Sequence, residues 1–165
     1  MRENMQKMEQ SNGGESGIAP AETNRTYIQR MAVDAFKKVK NLEESSSENK
    51  DTKDKYASYA TSLPVTIITN GLGQAAATLL AAAKADVKEA NNVQKANMKL
   101  YKDLEHWLCR DDSMAPYYTP QDETPDLMRK IVESDRNTYM RAQAEALAWL
   151  QWLKKFATAY LKQRG

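Results

Sequence analysis

Residues 65–76 read VTIITNGLGQAA, and what this stretch becomes decides the fold. Read as a strand, a turn and a helix, it matches the Gly-x-Gly-x-x-Ala form of a dinucleotide-binding turn at Gly71, Gly73 and Ala76. That chemistry needs a second parallel strand downstream and an acidic residue at its end to hold the ribose. The following residues, KADVKEANNVQKANMKLY, supply no strand, and Asp86 and Glu89 stand in helix-like surroundings. A hairpin at Asn70-Gly71 fails as well, because AAATLLAAA does not alternate.

The reading that remains is a helix from Pro64 to about Lys84, in spite of roughly 1 kcal/mol for each interior glycine relative to alanine. On a helical wheel Ile68, Leu72, Ala75, Leu79 and Ala83 share a core face, with Gly71 close to it and suited to a tight helix crossing. Thr66, Asn70, Gly73, Ala77 and Lys84 fall on the other side, a small and polar surface open to RNA or to a neighbouring protein. Packing glycines and an exposed contact surface both fit the period.

Working outward, the rest of the chain is also helical in pattern. Residues 1–24 are polar and lack a sustained apolar period, which predicts a flexible N-terminal extension ahead of one domain over 25–165. Ile28, Met31, Ala32, Ala35, Phe36, Val39 and Leu42 then recur at three and four, with Arg30, Lys37 and Lys40 on the opposite face. The charged, serine-rich EESSSENKDTKDK is expected to form a mobile internal loop. A bend is predicted at Ser62–Pro64, since proline disfavours helical geometry before it and suits the start of a new helix.

An interruption at Asn91 and Asn92 precedes a stripe of Met98, Tyr101, Leu104 and Leu108 with Trp107 beside it. CRDDSMAPYYTPQDETP forms a proline-rich loop, and Thr124-Pro125 is read as cap and first residue of the next helix. The last segment repeats Tyr139, Ala142, Ala146, Trp149 or Leu150, Leu153, Phe156 or Ala157 and Tyr160, after a short helix ending near Ser134. These patterns predict an all-α fold, a single compact bundle of about five to seven helices.

Composition narrows the functional classes. The 165 residues allow one ordinary core, and a mean hydropathy of -0.75 with 28% charged residues suits solvated helical faces. One cysteine, Cys109, cannot form an internal disulfide; with neither a secretory pattern nor a run of roughly 18 to 20 apolar residues, a cytoplasmic protein without membrane contact is expected. His106 and Cys109 have no further histidine or cysteine to complete a zinc site, and Asp111-Asp112 alone does not make a metal-dependent nuclease. No catalytic residue, metal or cofactor is expected.

The net charge of +2 is unevenly spread. From Arg136 onward six basic residues face Glu145 alone. Trp107, Trp149, Trp152, Tyr139 and Tyr160 can be considered as base-stacking platforms, but most lie at core-like spacing; Trp152, off the stripe, is the exception and suits a subunit contact.

Two blocks together, KYASYATSLPVTIITNGLGQAAATLLAAAK and EALAWLQWLKKFATAYL, resemble the small-subunit family of the type III-B CRISPR effector, the Cmr RNA-silencing complex. The shared pattern is a Lys-Tyr helix, a Leu-Pro step, the Asn-Gly-Leu-Gly-Gln block and a terminal Trp-Leu-Lys-Lys-Phe-Ala helix, over roughly residues 26–162. The first 24 residues and the loop from Cys109 to Pro125 fall outside that pattern. The resemblance implies a non-catalytic all-α subunit that stacks beside the backbone subunits and other copies of itself and helps line the channel holding guide RNA and target RNA. Base pairing would then read sequence while the protein meets phosphates and duplex shape.

The resemblance carries no catalytic signature over, so RNA-contact candidates come from charge and face. Arg141, Lys154, Lys155, Lys162 and Arg164 make the local positive excess, and Lys154 and Lys155 lie in the family-like block. Arg30, Lys37 and Lys40 on the first helix follow, then Lys55, Asn70, Gln74 and Lys84, whose amides can bond phosphate or ribose hydroxyls. The alternative is a helical adaptor that bridges proteins without touching RNA.

Overall fold

A computed structural model of the chain describes residues 25–83 and 89–162. Six helices and no strand occur among the described residues: α1 Tyr27–Glu44, α2 Lys50–Asn70, α3 Leu72–Ala83, α4 Asn92–Leu108, α5 Leu127–Glu133 and α6 Arg136–Tyr160. The predicted all-α bundle is therefore the fold. The N-terminal extension lies outside the described residues.

Helix α6 is packed by α1 on one flank and α2 on another; α2 also packs on α4, and α4 on α3. Polar contacts join Tyr27 to Glu145, Asp34 to Trp149 and Lys40 to Tyr160, so α1 and α6 run side by side in the same direction. The shared core contains fully buried Ala35, Val39, Tyr56, Ile67, Leu72, Leu104, Trp149 and Leu153. Two deep aromatics keep their polar atoms satisfied: Tyr56 donates to Asp103 Oδ2 at 2.7 Å, and Trp149 Nε1 donates to Asp34 Oδ2 at 2.8 Å.

The opening stretch differs from its helical-interior reading. The chain breaks at Gly71, whose φ of 85° and ψ of 159° occupy a region essentially reserved for glycine. Pro64, read as the bend, lies buried inside the uninterrupted α2. Proline removes one ladder bond, and nearby hydroxyls bond to carbonyls of the same turns: Thr61 to Ala57 at 2.8 Å, Ser62 to Tyr59 at 3.2 Å and Thr66 to Ser62 at 3.3 Å.

The break shifts the helical phase. Ile67 is buried and Ile68, assigned to the core by a continuous wheel, is 70% exposed, while Leu72, Ala75, Leu79 and Ala83 do enter the core. The N–H groups freed at the start of α3 are met from α6: Leu72 N–H donates to Gln143 Oε1 at 3.0 Å, and Gly73 N–H to Tyr139 Oη at 3.1 Å. The close crossing expected at Gly71 is present, since a Cβ there would lie 2.9 Å from Tyr139 Oη. Gly73, placed on the outer side by the wheel, instead faces Ile131, whose Cγ2 would stand 3.3 Å from an added Cβ.

Two loop expectations also change. Most of EESSSENKDTKDK is ordered helix, because α1 continues to Glu44 and α2 starts at Lys50 behind the Asn49 cap. Lys53 Nζ ties the short turn down by bonding the carbonyls of Glu43 and Ser45 at 2.8 and 2.9 Å. The cap of α5 is Asp126, accepting from Arg129 N–H, and not Thr124. The interruption at Asn91 is borne out: its side chain caps α4, and Asn92 accepts from Asn49 and Thr52 and donates to Asp51.

Gly71→Ala should destabilise the protein by roughly 2 kcal/mol or more in chemical denaturation, from backbone strain and the Tyr139 contact together. Pairing it with Tyr139→Phe should recover little of the loss, because the backbone strain persists and the Gly73 N–H loses its acceptor.

Candidate nucleic-acid interface

The basic candidates divide by what their charge already meets. Arg30 pairs with Asp112, Lys40 with Glu43 and at 3.8 Å with Glu44, and Lys55 with Asp51 at 3.3 Å. Arg141 donates to the Met114 carbonyl at 2.8 Å. These four have part of their donor capacity committed inside the fold. Lys37, Lys155 and Lys162 are exposed and make no ion pair among the described residues; Lys154 is half-buried and also without one. Lys84 and Arg164 lie outside the described residues.

Neighbouring positions need not share a surface. Along α6, Leu150, Leu153 and Ala157 face the core, so Lys154 projects on the flank shared with Gln143, which meets the start of α3, and Lys155 on the solvent crest. The pair therefore cannot grip one phosphate from one side. Asn70 and Gln74 are exposed next to the break.

That part of the surface has a distinct character. No residue from Tyr56 to Ala83 carries a charge. Yet Ser62, Gln74, Ala77 and Ala81 face solvent, with Val65 at 65% and Ile68 at 70% exposure. A solvated helix face ordinarily carries charge, and exposed apolar residues within such a stretch mark a surface suited to protein contact. Periodicity missed Val65 and Ile68 because it assumed one continuous helix; the absence of charge was the available signal.

A half-buried polar cluster joins α1, α6 and the segment after α4. Arg110 spreads its guanidinium 3.8 Å from the centre of the Trp107 ring, bonds the Trp107 carbonyl at 2.7 Å and reaches Tyr27 Oη at 2.9 Å, Glu145 Oε1 at 3.3 Å and Asp112 Oδ2 at 3.3 Å. Tyr27 Oη also donates to Glu145. Burial pushes the Glu145 carboxyl up to about 7 and draws the Arg110 guanidinium down. For Asp112, burial acts upward, but the Met114 N–H, Arg30 and Arg110 together hold the carboxyl below its ordinary range. Sequence reading passed over Arg110, because nothing local announces that its partners come from three elements.

The remaining chemical candidates are dispersed by the fold. His106 lies at the surface beside Lys38 Nζ at 3.0 Å, and partial desolvation of the ring and then the Lys38 charge lower its pKa. Cys109 is buried, its thiol pushed up to about 12 by burial. Asp112 is committed to two arginines. Among the described residues no group of three or more His, Cys, Asp or Glu is placed to hold a metal ion. No described helix is long and apolar enough to cross a membrane.

Two measurements follow from this chemistry. A group whose folded pKa is raised contributes stability at low pH that is lost as pH rises through the folded value. Stability measured by urea denaturation should therefore fall between about pH 5 and pH 8 relative to Glu145→Gln, in which this contribution is absent. Cys109 should resist alkylation at neutral pH in the folded protein and react promptly in denaturant, as followed by mass spectrometry.

The two helices that carry Lys37 and Lys155, together with the break at Gly71, all lie within one family match. The model of a CRISPR-associated protein family, Cas_Cmr5, matches residues 27–160, from the first turn of α1 to the end of α6. That span holds both blocks of the Asn-Gly-Leu-Gly-Gln and Trp-Leu-Lys-Lys-Phe-Ala resemblance. The chain belongs to the Cas_Cmr5 family and is a small subunit of the Cmr complex of CRISPR defence.

Proposed function

We propose that this chain is a non-catalytic small subunit that stacks along the backbone subunits of the type III-B effector, with further copies of itself, and helps hold the guide RNA–target RNA duplex through phosphate contacts in the cytoplasm. The observation that carries the RNA part is the uneven state of the charges. Lys37 of α1 and Lys154 and Lys155 of α6 make no ion pair among the described residues, whereas Arg30, Lys40 and Lys55 are paired within the fold. Free, exposed lysines can neutralise phosphates at low cost, and they do so without reading bases.

Lys155 is the leading phosphate contact, followed by Lys37 and Lys162. Lys154 acts from a different flank, and Arg141 contributes the donors not held by Met114. Asn70 and Gln74 stand on the uncharged face, so their amides suit hydrogen bonds to a neighbouring subunit or to ribose hydroxyls better than counterion release. That face is the natural surface for stacking. It also favours the second reading, a protein-bridging adaptor that makes no RNA contact, because Val65 and Ile68 are apolar and exposed.

Within the assembled effector, Lys154→Ala with Lys155→Ala should weaken duplex binding and reduce the salt slope by about one to two. An unchanged slope counts against phosphate contact at both positions. Crosslinking of the assembled effector separates the two readings: RNA adducts on α6 favour duplex binding, and protein-only adducts favour the adaptor.

A further inference from the structure

The groove between α1 and α6 holds a row of aromatic rings that core packing does not fully cover. Trp152 stacks on Phe156 with centroids 5.9 Å apart and planes inclined by 24°. Phe36 of α1 stands edge-on to Phe156 at 5.5 Å and to Tyr160 at 5.8 Å. Lys40 Nζ lies 5.0 Å from the centre of the Tyr160 ring. Phe36 remains 39% exposed and Tyr160 41%, so the row continues from half-buried rings to open ones.

The carboxylates near this row are engaged, and two of them, Glu43 and Glu44, share Lys40 at its Tyr160 end. Every carboxylate on the two helices has a partner within the fold: Asp34 meets Lys38 and Trp149, Glu43 and Glu44 meet Lys40, and Glu145 meets Arg110 and Tyr27. Lys37 follows Phe36, and Lys155 lies three residues after Trp152; both are exposed and without an ion pair among the described residues. Planar rings between unpaired lysines complement a polyanion that carries planar groups. A hydrophobic protein partner would have to desolvate those lysines, and the uncharged surface on α2 and α3 suits such a partner better.

We propose that this row is a stacking platform for unpaired bases of an RNA strand, with Lys37 and Lys155 drawing the flanking phosphates. The proposal rests on the RNA-contact reading above and deepens it: the ligand here is a single strand with accessible base faces, recognised without regard to sequence because every base presents one. Phe36 and Tyr160 supply the open rings. Trp152 and Phe156 support them from behind.

The test compares a short single-stranded RNA with an abasic strand of equal length and charge, using the full chain at low salt and fluorescence anisotropy. The base-bearing strand should bind about tenfold more tightly. Phe36→Ala with Tyr160→Ala should erase that preference while leaving the salt slope unchanged, and Phe36→Tyr should retain it. Circular dichroism confirms that each variant is folded. Equal binding of the two strands by the unaltered protein overturns the proposal without needing any variant.

A base preference that survives Phe36→Ala with Tyr160→Ala overturns it too. So does a variant that keeps the preference but no longer joins the effector, which would mark the row as a protein contact. The two readings fail differently. If stacking alone is wrong, both strands bind alike with a salt slope intact; if phosphate contact is wrong as well, neither strand binds.

Discussion

The arrangement of the bundle turns on the backbone at Gly71. A residue with φ of 85° and ψ of 159° ends α2 and starts α3 in a single step. Such a sharp change of direction leaves the first N–H groups of α3 without partners from their own helix. Gln143 and Tyr139 of α6 accept from two of them, and Tyr139 can approach because there is no Cβ at Gly71. One conformational constraint thereby sets the crossing of α2, α3 and α6 and gives two half-buried side chains of α6 a defined partner.

Once that crossing is fixed, the outer surfaces separate by chemistry. The outer parts of α2 and α3 beyond Lys55 are small, polar or apolar, without charge. The outer parts of α1 and α6 carry lysines without an ion pair among the described residues, and exposed rings. This separation gives a subunit of a multi-subunit complex one surface at which protein contact costs little desolvation and another that keeps its charge in water. The Arg110 cluster stands between these roles as an internal tie, and its charges face one another instead of solvent.

Several elements could be read from residues alone because their signals were local and redundant. Of the stripe read on α1, Met31, Ala35, Val39 and Leu42 are buried while Ile28 and Phe36 are exposed, and of that on α6, Ala142, Ala146, Trp149, Leu153 and Ala157 are buried while Tyr160 is exposed. Asn91 signalled a helix start through its short acceptor side chain. Pro64 misled for a definable reason. Its rules concern the bias against helical geometry in the preceding residue and one lost hydrogen bond, which burial of the ring and the surrounding tertiary contacts outweigh; the glycine seven residues further on in the same apparent helix had a conformational freedom that no periodic pattern displays. The charged connector misled similarly, since its lysine found backbone carbonyls to hold.

Sequence by itself determined that this protein is all-α, where most of its buried stripes lie, and which family it belongs to, because each depends on residue types at short spacing. Tertiary structure decided where the long helix breaks, which lysines remain unpaired and which rings remain open. Those properties depend on partners far away in the chain: Gly71 on Tyr139, Arg30 on Asp112, Phe36 on Phe156 and Tyr160. A charge or an aromatic ring can be counted from residues, but whether it is free to meet a ligand is settled only when the chain has folded around it.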